Sequence, residues 1–239
     1  MVTEQSAHTL RMPINVARSP PLNSNVRLAL LFALLISVAN TLVSSTPLAA
    51  FMLIITQNTS GVPRLPDDGP ADNFAVGVAT GVQGLVNLLC AIPAGVLADR
   101  IGRQAMLRLA AVVGIISAAV WGVCLLYVRR HYSHTTLFYS LLGAAAVFGT
   151  FFGLHAAPLE ALFGDSIESG SRSKLYAIRQ SIRTAGGAVG PAVSIVVFLT
   201  LGDTWREPEL VVVMLVGVGT LLLPALTLLF FRDKATLGG

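Results

Sequence analysis

Six long apolar stretches run through the chain, at about 28–55, 75–98, 105–128, 136–162, 176–201 and 208–231, separated by short polar segments. Each is long enough to cross a bilayer as a helix, which takes about 20 mostly apolar residues. Polar residues inside them recur at helical spacing. Ser37, Asn40, Thr41 and Ser44 share one face of the first stretch, and Thr80, Gln83 and Asn87 share one face of the second. A water-soluble bundle would need a polar face on every helix, and runs this apolar leave almost none. The pattern therefore predicts an all-α integral membrane protein with a transmembrane domain at 28–231. A disordered cytoplasmic tail is expected at 1–27, and a second cytoplasmic tail at 232–239.

Composition sharpens this reading. The 239 residues are 54% hydrophobic and only 12% charged, about half the charge of a typical soluble domain. The net charge of +4 does not point to nucleic acid, because the basic residues are dispersed among the loops between apolar runs. All the Lys and Arg residues except Arg64, Arg129, Arg130 and Arg206 fall on one side of the predicted topology. The positive-inside rule makes that side the cytoplasm and places both termini there. The outward loop 57–74 is rich in Pro and Asp and carries an Asn58-Thr59-Ser60 sequon close to the membrane edge.

Several chemistries are excluded by what the chain lacks. Cys90 and Cys124 sit inside apolar runs and read as small packing residues. His131 and His134 adjoin Arg129 and Arg130 without a carboxylate, a poor setting for a metal ion. No phosphate-cradling glycine loop, paired intramembrane aspartates or nucleophile motif is present, so neither an enzyme nor a cofactor is expected.

The hairpin between the second and third runs reads Gly95-Val96-Leu97-Ala98-Asp99-Arg100-Ile101-Gly102-Arg103. Charges this dense belong at the water edge of two spans. Gly95 suits a close helix approach, Gly102 a backbone reversal, and Asp99 a neighbouring helix amino end. This pattern resembles the signature loop of the major facilitator superfamily, with Gln104 where the family often has a further basic residue. The resemblance implies an N-terminal six-helix half built from two inverted three-helix repeats, with 232–239 opening a central cytoplasmic loop. It also implies secondary transport of a small solute by alternating access. Gly95, Asp99, Arg100, Gly102 and Arg103 would then form a conformational latch against a second six-helix half. That half would come from a continuation of the chain or from a second copy. The alternative is a non-transporting membrane protein that dimerises or regulates a full-length relative.

Further candidates follow. Gly186, Gly190 and Pro191 are similar to part of a fifth-helix exchanger motif, but the small-xxx-small spacing reads first as a packing face. Glu160, Asp165, Arg172 and Arg179 are placed in a cytoplasmic charge network. Asn40, Thr41, Gln83, Asn87 and His155 are candidates for a solute cavity, against the alternative of interhelical hydrogen bonding, and His155 is also a candidate for a coupling proton. No acid pair or basic cluster is evident at mid-membrane depth, which favours a neutral or weakly polar solute. The expected partners are the lipid bilayer, the solute and the second half, with no nucleic acid.

Overall fold

The computed structural model describes residues 22–56, 73–201 and 206–237. The tail through residue 21 and the sequon at Asn58 lie outside the described residues. The helices are α1 (Ser24–Val43), α2 (Thr46–Thr56), α3 (Asn73–Ile101), α4 (Arg103–Val123), α5 (Arg129–His131), α6 (His134–Asp165), α7 (Arg172–Leu201) and α8 (Glu207–Thr227). A π-helical segment, Cys124–Val128, joins α4 to α5. Among the described residues there is no strand, and six helical spans of 24 to 33 residues are long and apolar enough to cross a membrane.

The helices overrun the apolar runs at several ends. The first begins at Ser24, where Asn23 caps it by accepting from the Asn25 backbone N–H at 3.0 Å. Arg27, Arg100, Arg103, Arg172 and Lys174, just outside the apolar runs, thus stand within helices. The first span is also not continuous. Ser44 Oγ donates to Asn40 Oδ1 at 2.8 Å, and Ser45 Oγ accepts from the Thr46 N–H at 2.6 Å. These hydroxyls substitute for backbone partners at the break. Pro47, which has no N–H to satisfy, then occupies the first turn of α2.

The packing has an internal symmetry. The second span (α3) lies against the fourth (α6), and the fifth (α7) against the first (α1). The third (α4) packs on the fourth, and the sixth (α8) on the first, while the third and sixth pack on each other. Exchanging the first three spans with the last three maps this list onto itself. Three is odd, so the two units run in opposite directions, as inverted three-helix repeats do. The core lies where α1, α4, α6 and α8 meet, around Phe32, Phe138, Phe148, Phe151, Phe163 and Trp121.

Two spans are left largely uncovered. Only 11% of the most apolar stretch of α3 and 17% of that of α7 is buried, against 44–50% in the other four. Leu85, Leu88, Leu89 and Ile92 on α3, and Ile195, Val196 and Leu199 on α7, are exposed. In water such surface would be unfavourable; in a bilayer it is covered by lipid or another helix layer.

Candidate functional site

At one end of the bundle the polar groups are drawn together. Gly102, the single turn residue between α3 and α4, has φ +93°, a conformation that costs glycine little and other residues much. The reversal there carries Arg103 to Asp165 at the end of α6, where the two form an ion pair. Asp233, just beyond α8, accepts from the Gln104 backbone N–H at 3.0 Å, and Gln104 Oε1 accepts from the Asp233 N–H at 3.3 Å. Buried Asn25 donates to Ser166 Oγ at 3.2 Å and to the Arg232 carbonyl at 2.9 Å. Leu237 N–H reaches the Asp165 carbonyl at 3.1 Å. The segment after α8 thus stitches the ends of α1, α4 and α6.

Within this end, the five hairpin residues separate into two sets. Gly102 and Arg103 are engaged as described. Asp99 and Arg100 are exposed and form no ion pair among the described residues. Gly95 faces Ala157, but a Cβ built there would lie at an ordinary 3.8 Å, so the approach does not require glycine. The expected charge network also divides. Glu160 meets Arg179, with both carboxylate oxygens 2.6 Å from one guanidinium nitrogen, while Asp165 takes Arg103 instead. Arg172 stays exposed, without an ion pair among the described residues. The Arg179 guanidinium also lies 4.9 Å from the centre of the Phe163 ring, a cation–π contact. At the opposite end Arg129 pairs with Glu207 at 3.1 Å, tying α5 to α8.

The two crossings related by the internal symmetry are both built on glycine. On α7, a Cβ at Gly190 would come within 2.5 Å of Thr41 Cβ, and one at Gly186 within 2.9 Å of the Leu34 carbonyl oxygen. On α6, a Cβ at Gly153 would come within 2.6 Å of the Asn87 carbonyl oxygen, and one at Gly149 would strike the Gln83 carbonyl. Each pair is spaced by four, so both glycines face the neighbour. Gly186 and Gly190 carry the close approach of α7 to α1, with Pro191 following inside α7. Gly149 and Gly153 do the same for α6 and α3; their four-residue spacing was visible in the sequence but was not singled out.

The candidate cavity residues fall at separate places. Asn40 and Thr41 are half-buried near the middle of the first span. Thr41 Oγ1 bonds back to the Ser37 and Val38 carbonyls at 3.0 Å. Thr41, Ser45, Pro191, Ser194 and Phe198 line a cavity of about 170 Å³ beside the α1–α2 break. Gln83 and Asn87 are half-buried at the α3–α6 crossing, and their side-chain amides have no hydrogen bond among the described residues. His155 is enclosed. Its Nδ1 donates to the Phe151 carbonyl at 2.7 Å, and its ring packs 5.0 Å from Phe32 and 4.7 Å from Phe151. Among the described residues no His, Cys, Asp and Glu cluster suited to a metal ion occurs.

Arg179 and Arg183, both inside the fifth apolar run, stand in the third and fourth turns of α7. Counting ~1.5 Å per residue, Arg183 lies only about 5 Å from the midpoint of that 30-residue helix. Arg183 therefore stands near the middle of a span-length helix, and Arg179 one turn closer to the charged end.

An all-helical bundle of six membrane-capable spans, arranged as two inverted triplets and clasped by a charged end, defines a multi-pass integral membrane protein of transporter type. The chain matches the Major Facilitator Superfamily over residues 28–238 and belongs to that family. No curated protein and no solved structure matches it.

Proposed function

We propose that the chain forms one half of a secondary-active transporter that moves a small solute by alternating access. The observation that carries this reading is the uneven cover of its spans. α1, α4, α6 and α8 bury each other, while α3 and α7 present long uncovered faces. Rocking of one six-span unit against another around a central site requires such a face. The second unit is a continuation of the chain or a second copy of it. The end bearing Arg103, Asp165 and Asp233 is the cytoplasmic one, on the positive-inside argument. Asp99 and Arg100, unengaged within the half, are available there to meet the second unit as a latch.

The test is uptake into proteoliposomes of radiolabelled sugars, amino acids and carboxylates, with and without a pH gradient. Saturable uptake above protein-free vesicles supports transport, and a dependence on the gradient supports a coupling proton. Asp99→Asn then lowers uptake without reducing membrane insertion. Uptake no greater than in empty vesicles for every class, from a preparation that holds two six-span units, would overturn the reading in favour of a regulatory membrane protein. Cross-linking in native membranes separates a second copy from a chain continuation.

A further inference from the structure

Arg183 is exposed, lies about 5 Å from the midpoint of the span-length helix α7, and has no anionic or hydrogen-bonding partner for its guanidinium among the described residues. That is unusual on physical grounds. An ionised side chain inside a bilayer is costly unless it is paired or faces a water-filled path. One turn earlier on the same face, Arg179 shows the ordinary solution, a fixed carboxylate in Glu160. Glu160 is thereby spent.

The surroundings of Arg183 are polar and equally unspent. Gln180 and Thr184, three residues before it and one after, are both exposed, and neither side chain makes a hydrogen bond among the described residues. At helical spacing the three side chains fan over one uncovered sector of α7. Their backbone is held in place. Ser37 Oγ on α1 donates to the Arg183 carbonyl at 2.6 Å, and Gly186 and Gly190 lock the helix against α1 just beyond. The side chain therefore rises from a rigid support, beside the groove where α6 and α7 approach through Glu160 and Arg179.

We propose that Arg183 is the anion-recognition residue of the solute path, and that the solute carries a carboxylate. A guanidinium presents a planar fork of donors that matches a carboxylate with two parallel hydrogen bonds. The Thr184 hydroxyl and the Gln180 amide supply further donors on the same sector. This deepens the transport reading and rests on it for the site, and it replaces the sequence-based expectation of a neutral solute.

The experiment is arginine modification in membranes containing the chain. Phenylglyoxal is applied, and the adducts at Arg183 and Arg179 are quantified by peptide mass spectrometry. Protection is measured with acetate, lactate, succinate and citrate, and with glucose, choline chloride and inorganic phosphate at matched ionic strength. The expected result is rapid modification of Arg183, slow modification of the paired Arg179, and about tenfold slowing at Arg183 by at least one carboxylate. Thr184→Val then raises the protecting concentration while leaving the unprotected rate unchanged. An Arg183 that resists the reagent is already paired with a fixed acid, which overturns the proposal. Protection by phosphate alone, or by none of the carboxylates, also overturns it. Carboxylate protection without uptake of any solute would remove the transport reading and leave the anion site standing. Uptake of a neutral solute without carboxylate protection would do the reverse.

Discussion

The Asp233 carboxylate caps the amino end of α4 by accepting the Gln104 N–H at 3.0 Å. Gly102, at the position where a side-chain cap would normally sit, has none to offer. The residue that performs this task is more than a hundred positions away, and the Gln104 side chain returns the bond to the Asp233 N–H. Such reciprocity is the logic of a capping box, here made between two segments far apart in the chain at one end of the bundle. A carboxylate at a helix amino end is also favoured by the helix dipole.

Removing that cap has a predictable cost. Asp233→Ala lowers the stability of the detergent-purified protein by about 1 kcal/mol, and Asp233→Asn by less, because the amide oxygen can still accept. Thermal unfolding followed by tryptophan fluorescence checks the order. Equal stability of Asp233→Ala and the parent would mean that the tail does not hold α4.

The glycine crossings give a contrast between positions of the same residue type. Gly149→Ala and Gly153→Ala each force a methyl against the backbone of α3, whereas alanine at Gly122 or Gly219 meets nothing within 4 Å. Overpacking a close crossing costs about 1–3 kcal/mol, and alanine in open helix surface is neutral or slightly favourable. Parallel thermal melts of the four variants should fall into these two pairs. A uniform response would show that α3 and α6 are free to separate.

Much of the fold was legible in the sequence for a simple reason. In lipid every backbone polar group must be satisfied within a helix, so length and apolarity alone locate the spans. The Gly102 reversal was equally visible, since a short charged hairpin between two spans demands a turn residue. The helix ends were less visible, because hydropathy sees side chains and not backbone bonds. Arg179 and Arg183 raise the local polarity of α7 without interrupting it, so the charge distribution counted them with the cytoplasmic side although they lie inside the fifth apolar run. Asp233 could not be anticipated at all, because its role depends on where α4 begins in space. The separation of Asn40 and Thr41 from Gln83 and Asn87 likewise follows from which helices cross, which no local pattern records.

The Arg179–Glu160 pair is a third point of test. Arg179 is largely covered, with its side chain 14% exposed, and Glu160 is half open at 49%. The pair is shielded more than an ordinary surface bridge but is not fully desolvated. A double-mutant cycle with Arg179→Gln and Glu160→Gln should give a coupling of about 1 kcal/mol, at the upper end of exposed pairs. Arg179→Gln should be the more damaging single change, because it also removes the contact with Phe163. A coupling near zero would show that the two charges are independently solvated.

The sidedness of the bundle is open to direct measurement. Arg103 with Asp165, Asp233 with Gln104, and Asn25 with Ser166 hold the start of α1, the α3–α4 turn, the end of α6 and the segment after α8 at one end. His134 stands at the other end of α6, and both it and Ser169 are exposed. With Cys90 and Cys124 replaced by alanine, His134→Cys should react with a membrane-impermeant maleimide added to intact cells. Ser169→Cys should react only after the membrane is made permeable. That outcome would place the basic end in the cytoplasm, as the distribution of Lys and Arg predicts. Reaction of Ser169→Cys in intact cells, with His134→Cys protected, would invert the orientation. The end that carries Asp99 and Arg100 would then face outward, and a cytoplasmic latch at that hairpin would be ruled out.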